Sequence, residues 1–146
     1  MNRVHNVLCR SAWWGRRVEY ELMPWGLKGV ELGDDVLEVG PGFGATTRVL
    51  ARDQGRKLTV VELEQSYCER LRRALPDAVE VTQGDATALP YDDGRFTGVV
   101  CFTMLHHITP VEAQDRALAE IARVLVPGGT FAGTDSVLAS GLANKL

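Results

Sequence analysis

Five short runs rich in valine and threonine recur along this chain, separated by longer segments in which apolar residues return every three or four positions. The runs, at Asp35 to Val39, Lys57 to Glu62, Ala78 to Gln83, Phe96 to Phe102 and Thr130 to Thr134, have the length and β-branched content of strands. Helices are predicted between them. The best defined covers Pro110 to Val126, where Pro110 suits a first helical turn and Ala113, Ala117, Leu118, Ile121, Ala122 and Leu125 share a face. Gln65 to Leu75 carries Tyr67, Cys68, Leu71 and Leu75 at helical spacing, with Arg70, Arg72 and Arg73 largely outward, and Pro76 stops it. A further helix is expected over Thr46 to Arg52. Alternating strand and helix imposes right-handed crossovers and a parallel sheet, whose ligands bind at the carboxyl ends of the strands.

The first strand runs into Glu38-Val39-Gly40-Pro41-Gly42-Phe43-Gly44, which places glycines at alternate positions just before a helix. Without Cβ atoms at 40, 42 and 44 the turn can take positive φ, and a nucleotide-like ligand can lie against its amides. Glu38 bears on the choice of ligand. A pyrophosphate tolerates no carboxylate beside it, whereas a ligand with a cationic amino-acid moiety, such as S-adenosylmethionine, gains from one. Glu62, at the tip of the second strand, follows Gly40 by 22 positions. That separation suits a carboxylate that takes both hydroxyls of a ribose.

Three further stretches complete the pattern: Gln83-Gly84-Asp85-Ala86, the segment Phe96 to His107, and Arg123-Val124-Leu125-Val126-Pro127-Gly128-Gly129. Together with EVGPGFG and VVELE, and in the same order and spacing, they resemble the class I S-adenosylmethionine-dependent methyltransferases of the type 11, small-molecule subgroup. The resemblance covers roughly residues 34 to 135. It implies an α/β, Rossmann-like, doubly wound parallel sheet of about five strands in the order 3-2-1-4-5, without the family's usual C-terminal antiparallel hairpin. It also implies S-adenosylmethionine as cofactor. Glu38 and the backbone of Gly40, Gly42 and Gly44 would hold its methionine end, Glu62 the ribose, Leu63 one face of the adenine, and Asp85 its exocyclic amine with the Ala86 amide nearby. Cys101 would line the cofactor site through its backbone, its thiol reading as a small buried hydrophobe rather than a nucleophile.

Methyl transfer from a sulfonium is in-line displacement with a good leaving group, so alignment and desolvation suffice for some nucleophiles. His106 and His107 follow the fourth strand where the family places groups facing the methyl, and an imidazole there can take a proton from the acceptor. Adjacent side chains diverge, so at most one of the two is expected to face the site; packing and loop hydrogen bonds are the other roles open to them. No metal site is expected, since His5 is the only other histidine and no HxH, HxxxH or HExxH spacing occurs.

Composition narrows the partners. The 146 residues carry 45% hydrophobic and 24% charged side chains with a formal charge of −3, which suits one globular domain and gives no general attraction for nucleic acid. The DPPY or NPPY signature of base methylation is also absent, the corresponding place reading CFTM. Cys9, Cys68 and Cys101 form no paired framework, and no apolar run approaches the roughly 20 residues of a membrane span, so a cytoplasmic protein without a membrane segment is expected. Residues 1–33, basic and aromatic, are read as a segment that packs on or caps the site, 34–135 as the cofactor-binding core, and 136–146 as a tail. Two departures from the family stand out. Thr97 replaces the usual acid after Phe96, and no hairpin follows strand five, which suggests a fragment or a chain that self-associates through the strand-five edge. The leading expectation is methyl transfer to an oxygen, nitrogen or carbon of a small molecule. The alternatives are a cofactor-binding or assembly module without turnover, and an NAD(P)-dependent oxidoreductase that leaves Glu38, QGDA and RVLVPGG unexplained.

Overall fold

The computed structural model describes residues 11–135. His5, Cys9 and the tail 136–146 lie outside these residues. The strands are β1 (Asp35–Val39), β2 (Lys57–Glu62), β3 (Glu80–Gln83), β4 (Phe96–Phe102) and β5 (Leu125–Thr134). They form a single sheet in the order β3-β2-β1-β4-β5 with every pairing parallel, as the strand and helix alternation predicts. Helices α3 (Ala45–Leu50), α4 (Gln65–Ala74) and α5 (Val111–Val124) make three of the four crossovers; the connection from β3 to β4 contains no helix, against the expected alternation.

Both sheet faces are covered, which is why the inner strands read as nearly continuous apolar runs. Val36 of β1, Leu58 and Val60 of β2 and Val100 of β4 pack with Leu50 and Leu71 on one face. Leu37, Val39, Val61 and Val99 pack with Ile121 and Val124 of α5 on the other. The helical segment ahead of the sheet comprises α1 (Ala12–Arg17), a π-helical turn over Val18–Leu22 and α2 (Met23–Gly26). Ser11 caps α1 by accepting from the Trp14 amide at 3.1 Å. Val18 and Met23 are buried in the first core, Trp14 and Leu22 pack against it, and Trp13, Tyr20 and Trp25 remain exposed.

Helix α3 covers Ala45–Leu50 rather than Thr46 to Arg52, and three further boundaries differ from the expected ones by more than one residue. Helix α5 stops at Val124, because Pro127 excludes helical backbone at Val126 and Leu125 is already extended and paired with Phe96. Strand β5 accordingly begins at Leu125 rather than Thr130. Strand β3 begins at Glu80, since Val79 closes a turn onto the Pro76 carbonyl at 2.9 Å. On α5, Leu118 and Ala122 face outward while Ala113, Ala117, Ile121 and Val124 form the buried stripe.

Thr97 explains how the sheet does without an acid at that position. Its hydroxyl accepts from the Asp35 amide at 3.0 Å and donates toward the carbonyls of Leu32 and Asp35, each at 3.0 Å, so one side chain stitches the entry of β1 to the entry of β4. Replacing it with the isosteric Thr97→Val should strand these partly buried groups. We expect a loss of about 1 to 3 kcal/mol in urea denaturation.

Candidate active site

The carboxyl ends of the strands open on a cleft of about 600 Å³. Its centre is the turn after β1, where Gly40, Gly42 and Gly44 all take positive φ (66°, 54° and 74°). Packing adds a second reason at two of them. A Cβ at Gly40 would collide with Met104 Cγ, and one at Gly44 would sit 2.7 Å from Leu71 Cδ2. At Gly42 a Cβ would meet nothing within 4 Å, because this residue opens on the cleft.

Glu62 braces this turn. Its Oε2 accepts from the Gly42 amide at 2.9 Å and its Oε1 from the Glu64 amide at 3.2 Å, and the residue is only 7% exposed. Each oxygen keeps a second lone pair for a hydroxyl donor. At the tip of β3, Asp85 Oδ1 accepts from both the amide and the hydroxyl of Thr87, each at 2.8 Å, which leaves Oδ2 without a partner among the described residues. Leu63 and Ala86 line the same end of the cleft.

Glu38 lies buried behind the turn, and neither it nor Gly44, the last glycine of the turn, is on the cleft wall, contrary to the expectation. The Thr46 hydroxyl donates to Glu38 Oε1, while Oε2 is buried with no hydrogen-bond partner among the described residues. Burial raises its carboxyl to about 7; the Thr46 hydroxyl opposes this and the Glu62 charge adds to it.

The end of β4 separates the two histidines. In the short 3-10 turn Leu105–His107, the His106 ring Nδ1 lies 2.5 Å from Asp135 Oδ1 and the His106 amide donates to Asp135 Oδ2 at 3.2 Å. His107, with its ring 4.0 Å from that of His106, lines the cleft; His106 does not. Cys101 also lies off the cleft. It is buried on β4 beside a shallower depression lined by Gly26, Val30 and Phe131, and burial pushes its thiol up to about 12.

The tertiary structure brings to the cleft several residues that local pattern did not single out. Trp14, Val18 and Leu22 arrive from the N-terminal helices, Phe43 and Tyr67 form an aromatic pair at 4.9 Å, and Arg116 comes from α5. The Trp13-Trp14 and VEYEL stretch carried a usable signal, its aromatic and apolar helical spacing; Arg116 carried none.

With this geometry in place, comparison with known proteins is informative. Residues 37–133 match the methyltransferase domain family. The chain belongs to that family. Its cofactor is S-adenosylmethionine. The sarcosine/dimethylglycine N-methyltransferase of Halorhodospira halochloris is 34% identical over 75% of this chain and 40% of its own length. The ubiquinone/menaquinone biosynthesis C-methyltransferase UbiE of Teredinibacter turnerae is 35% identical over 70% of this chain and 43% of its own length. Thus the chain spans about four tenths of the length of these curated relatives. The solved structure of the PH0226 protein from Pyrococcus horikoshii shares the fold, with a TM-score of 0.75 at 24% identity over 91% of this chain and 65% of that one. The amides of Gly40, Gly42 and Gly44 donate to Val61, Glu62 and Pro41, so the turn meets a ligand through its missing Cβ atoms rather than through these amides, contrary to the expectation. The methyltransferase domain has features that suit the cofactor: a glycine turn open at Gly42, acids at the tips of β2 and β3, and a buried carboxylate oxygen without a partner among the described residues behind the turn.

Glu38 gives the domain a pH dependence of known sign. Its folded-state value of about 7 lies above the ordinary 4.5, so the folded chain holds more protons than the unfolded one between those values. Its stabilising contribution is full below about pH 4.5 and is lost as pH rises through about 7. Glu38→Gln should remove this slope and, near pH 8, be more stable than the parent by on the order of 2 to 3 kcal/mol. Parallel pH profiles in urea melts of the two proteins would refute the assignment.

Proposed function

We propose that this chain is the cofactor-binding part of a methyltransferase that transfers a methyl group to an oxygen, nitrogen or carbon nucleophile of a small molecule. The observation that carries this reading is that Glu62 and Asp85 from the β2 and β3 tips, the glycine turn after β1, and His107 from beyond β4 line one cleft. In this reading Glu62 receives the ribose hydroxyls, Asp85 Oδ2 the adenine amine, Leu63 an adenine face, and the turn at Gly40 to Phe43 the methionine end, with the buried Glu38 carboxyl behind it. Bound there, S-adenosylmethionine would supply an electrophilic methyl group on a sulfonium that is already a good leaving group. The chain's own residues then align the reactants and exclude water. His107 takes the proton that an oxygen or nitrogen nucleophile loses. Of the segment 1–33, the described helices over Ala12–Gly26 form a cap, as Trp14, Val18 and Leu22 on the cleft support. The two relatives are named for different acceptors and different acceptor atoms, so neither atom transfers to this chain by likeness.

Calorimetric titration with S-adenosylmethionine, S-adenosylhomocysteine and NAD tests the reading. Both sulfur ligands should bind more tightly than NAD, and the opposite order would sink it. Glu62→Ala should weaken S-adenosylmethionine by about one to two decades, since it removes a charge-assisted contact and releases the Gly42 amide. His107→Ala should leave that affinity within about twofold and lower turnover instead, by the roughly 10²-fold expected of a general base.

A further inference from the structure

The cleft has a charge polarity that cofactor binding leaves unexplained. Its acidic side chains, Glu62, Glu64 and Asp85, come from the tips of β2 and β3 and the residues just beyond them. Among the described residues its one permanent cation is Arg116, on α5 beyond β4, in the opposite half of the sheet order. Arg116 makes no ion pair or hydrogen bond among the described residues, although Glu112 and Glu120 stand one turn away on either side of it on the same helix. Glu120 is committed instead to Arg123 and to the Leu89 amide. Arg116, exposed and without an ion pair among the described residues, thus lines the cleft together with His107 and the apolar side chains of Ile108, Met104 and Trp14.

We infer that the acceptor is a carboxylate-bearing small molecule with an apolar body, and that Arg116 is the residue that selects it. This rests on the methyl-transfer reading and adds the substrate class. A guanidinium presents a planar fork that matches a carboxylate with two parallel hydrogen bonds, and it stays charged at any working pH. The acids at the far end repel the same anion, so the field along the cleft orients the acceptor with its carboxylate toward α5. Its apolar body then rests on Trp14 and Ile108, and its nucleophile faces His107.

The test has two stages. Titration of wild type, Arg116→Gln and Arg116→Lys with S-adenosylmethionine should return affinities within about twofold of one another, since Arg116 lies away from the acids that would hold the nucleoside. Absence of binding by wild type would be a failure of the methyl-transfer reading. A tenfold or greater loss in Arg116→Gln alone would overturn the present inference, because Arg116 would then hold the cofactor's own carboxylate. Next, with the protein saturated in S-adenosylhomocysteine, ligand-observed NMR compares benzoate with benzamide and phenylacetate with phenylacetamide. Wild type should prefer each carboxylate by at least about tenfold, Arg116→Gln should lose the preference, and Arg116→Lys should retain part of it. Equal binding of the matched probes, binding of neither, or a preference that survives in Arg116→Gln would overturn it.

Discussion

The bond from the Gly42 amide to the Glu62 carboxylate is the contact on which the site depends. It ties the turn after β1 to the tip of β2, two elements joined in sequence only through α3 and the loop after it. A backbone amide donating to a buried carboxylate is a charge-assisted bond, stronger than a neutral one and costly to leave unmade. The parallel register already places Val39 beside Val61, and the Gly40 amide donates to the Val61 carbonyl at 2.9 Å. Backbone pairing therefore carries the turn to Glu62, and the carboxylate holds it there. The alternate glycines permit this path because each takes positive φ, which side chains beyond glycine rarely adopt.

Around that contact the fold divides its labour. The β2 and β3 tips supply acids and a partnerless Asp85 oxygen, whereas the β4 tip and α5 supply His107 and Arg116. The two halves meet where Met104 packs on Gly40, so the turn that suits a nucleoside also sets where the β4 loop begins. Asp135, just beyond β5, then decides the orientation of that loop. By taking both the ring and the amide of His106 it turns this histidine away from the cleft and leaves His107 facing it. Arg48, which donates to the carbonyls of Gly44 and Phe43 at 3.1 Å each, stiffens the glycine turn from its outer side.

Most of the scaffold was legible in advance. Strands β1, β2 and β4 have the expected bounds, because apolar runs buried on both faces leave little freedom in where they start and stop. Errors fell where two elements compete for the same residues. At Leu125 and Val126 helical periodicity continues through a stretch that pairing with β4 claims for the sheet, and the spacing alone carries no record of the partner strand. Leu118 and Ala122 were misplaced for a related reason: the buried stripe of α5 is set by its angle to the sheet, which periodicity leaves open by one residue.

What the sequence determined by itself is everything that follows from chain order and local backbone demand: five parallel strands with helices in all but the third connection, a turn that needs glycine, acids at strand tips, and membership of the methyltransferase domain family that those motifs mark. The tertiary structure alone decided which side chains face the cleft. It buried Glu38 behind the turn, withdrew Cys101 and His106, and brought in Trp14 from ahead of the motif-bearing core and Arg116 from the helix between its last two motifs. The physical reason is that a motif specifies backbone conformation over a few residues. The direction of a side chain depends on what packs against it from elements far away in the chain, and Asp135, 29 residues from His106, is the clearest case.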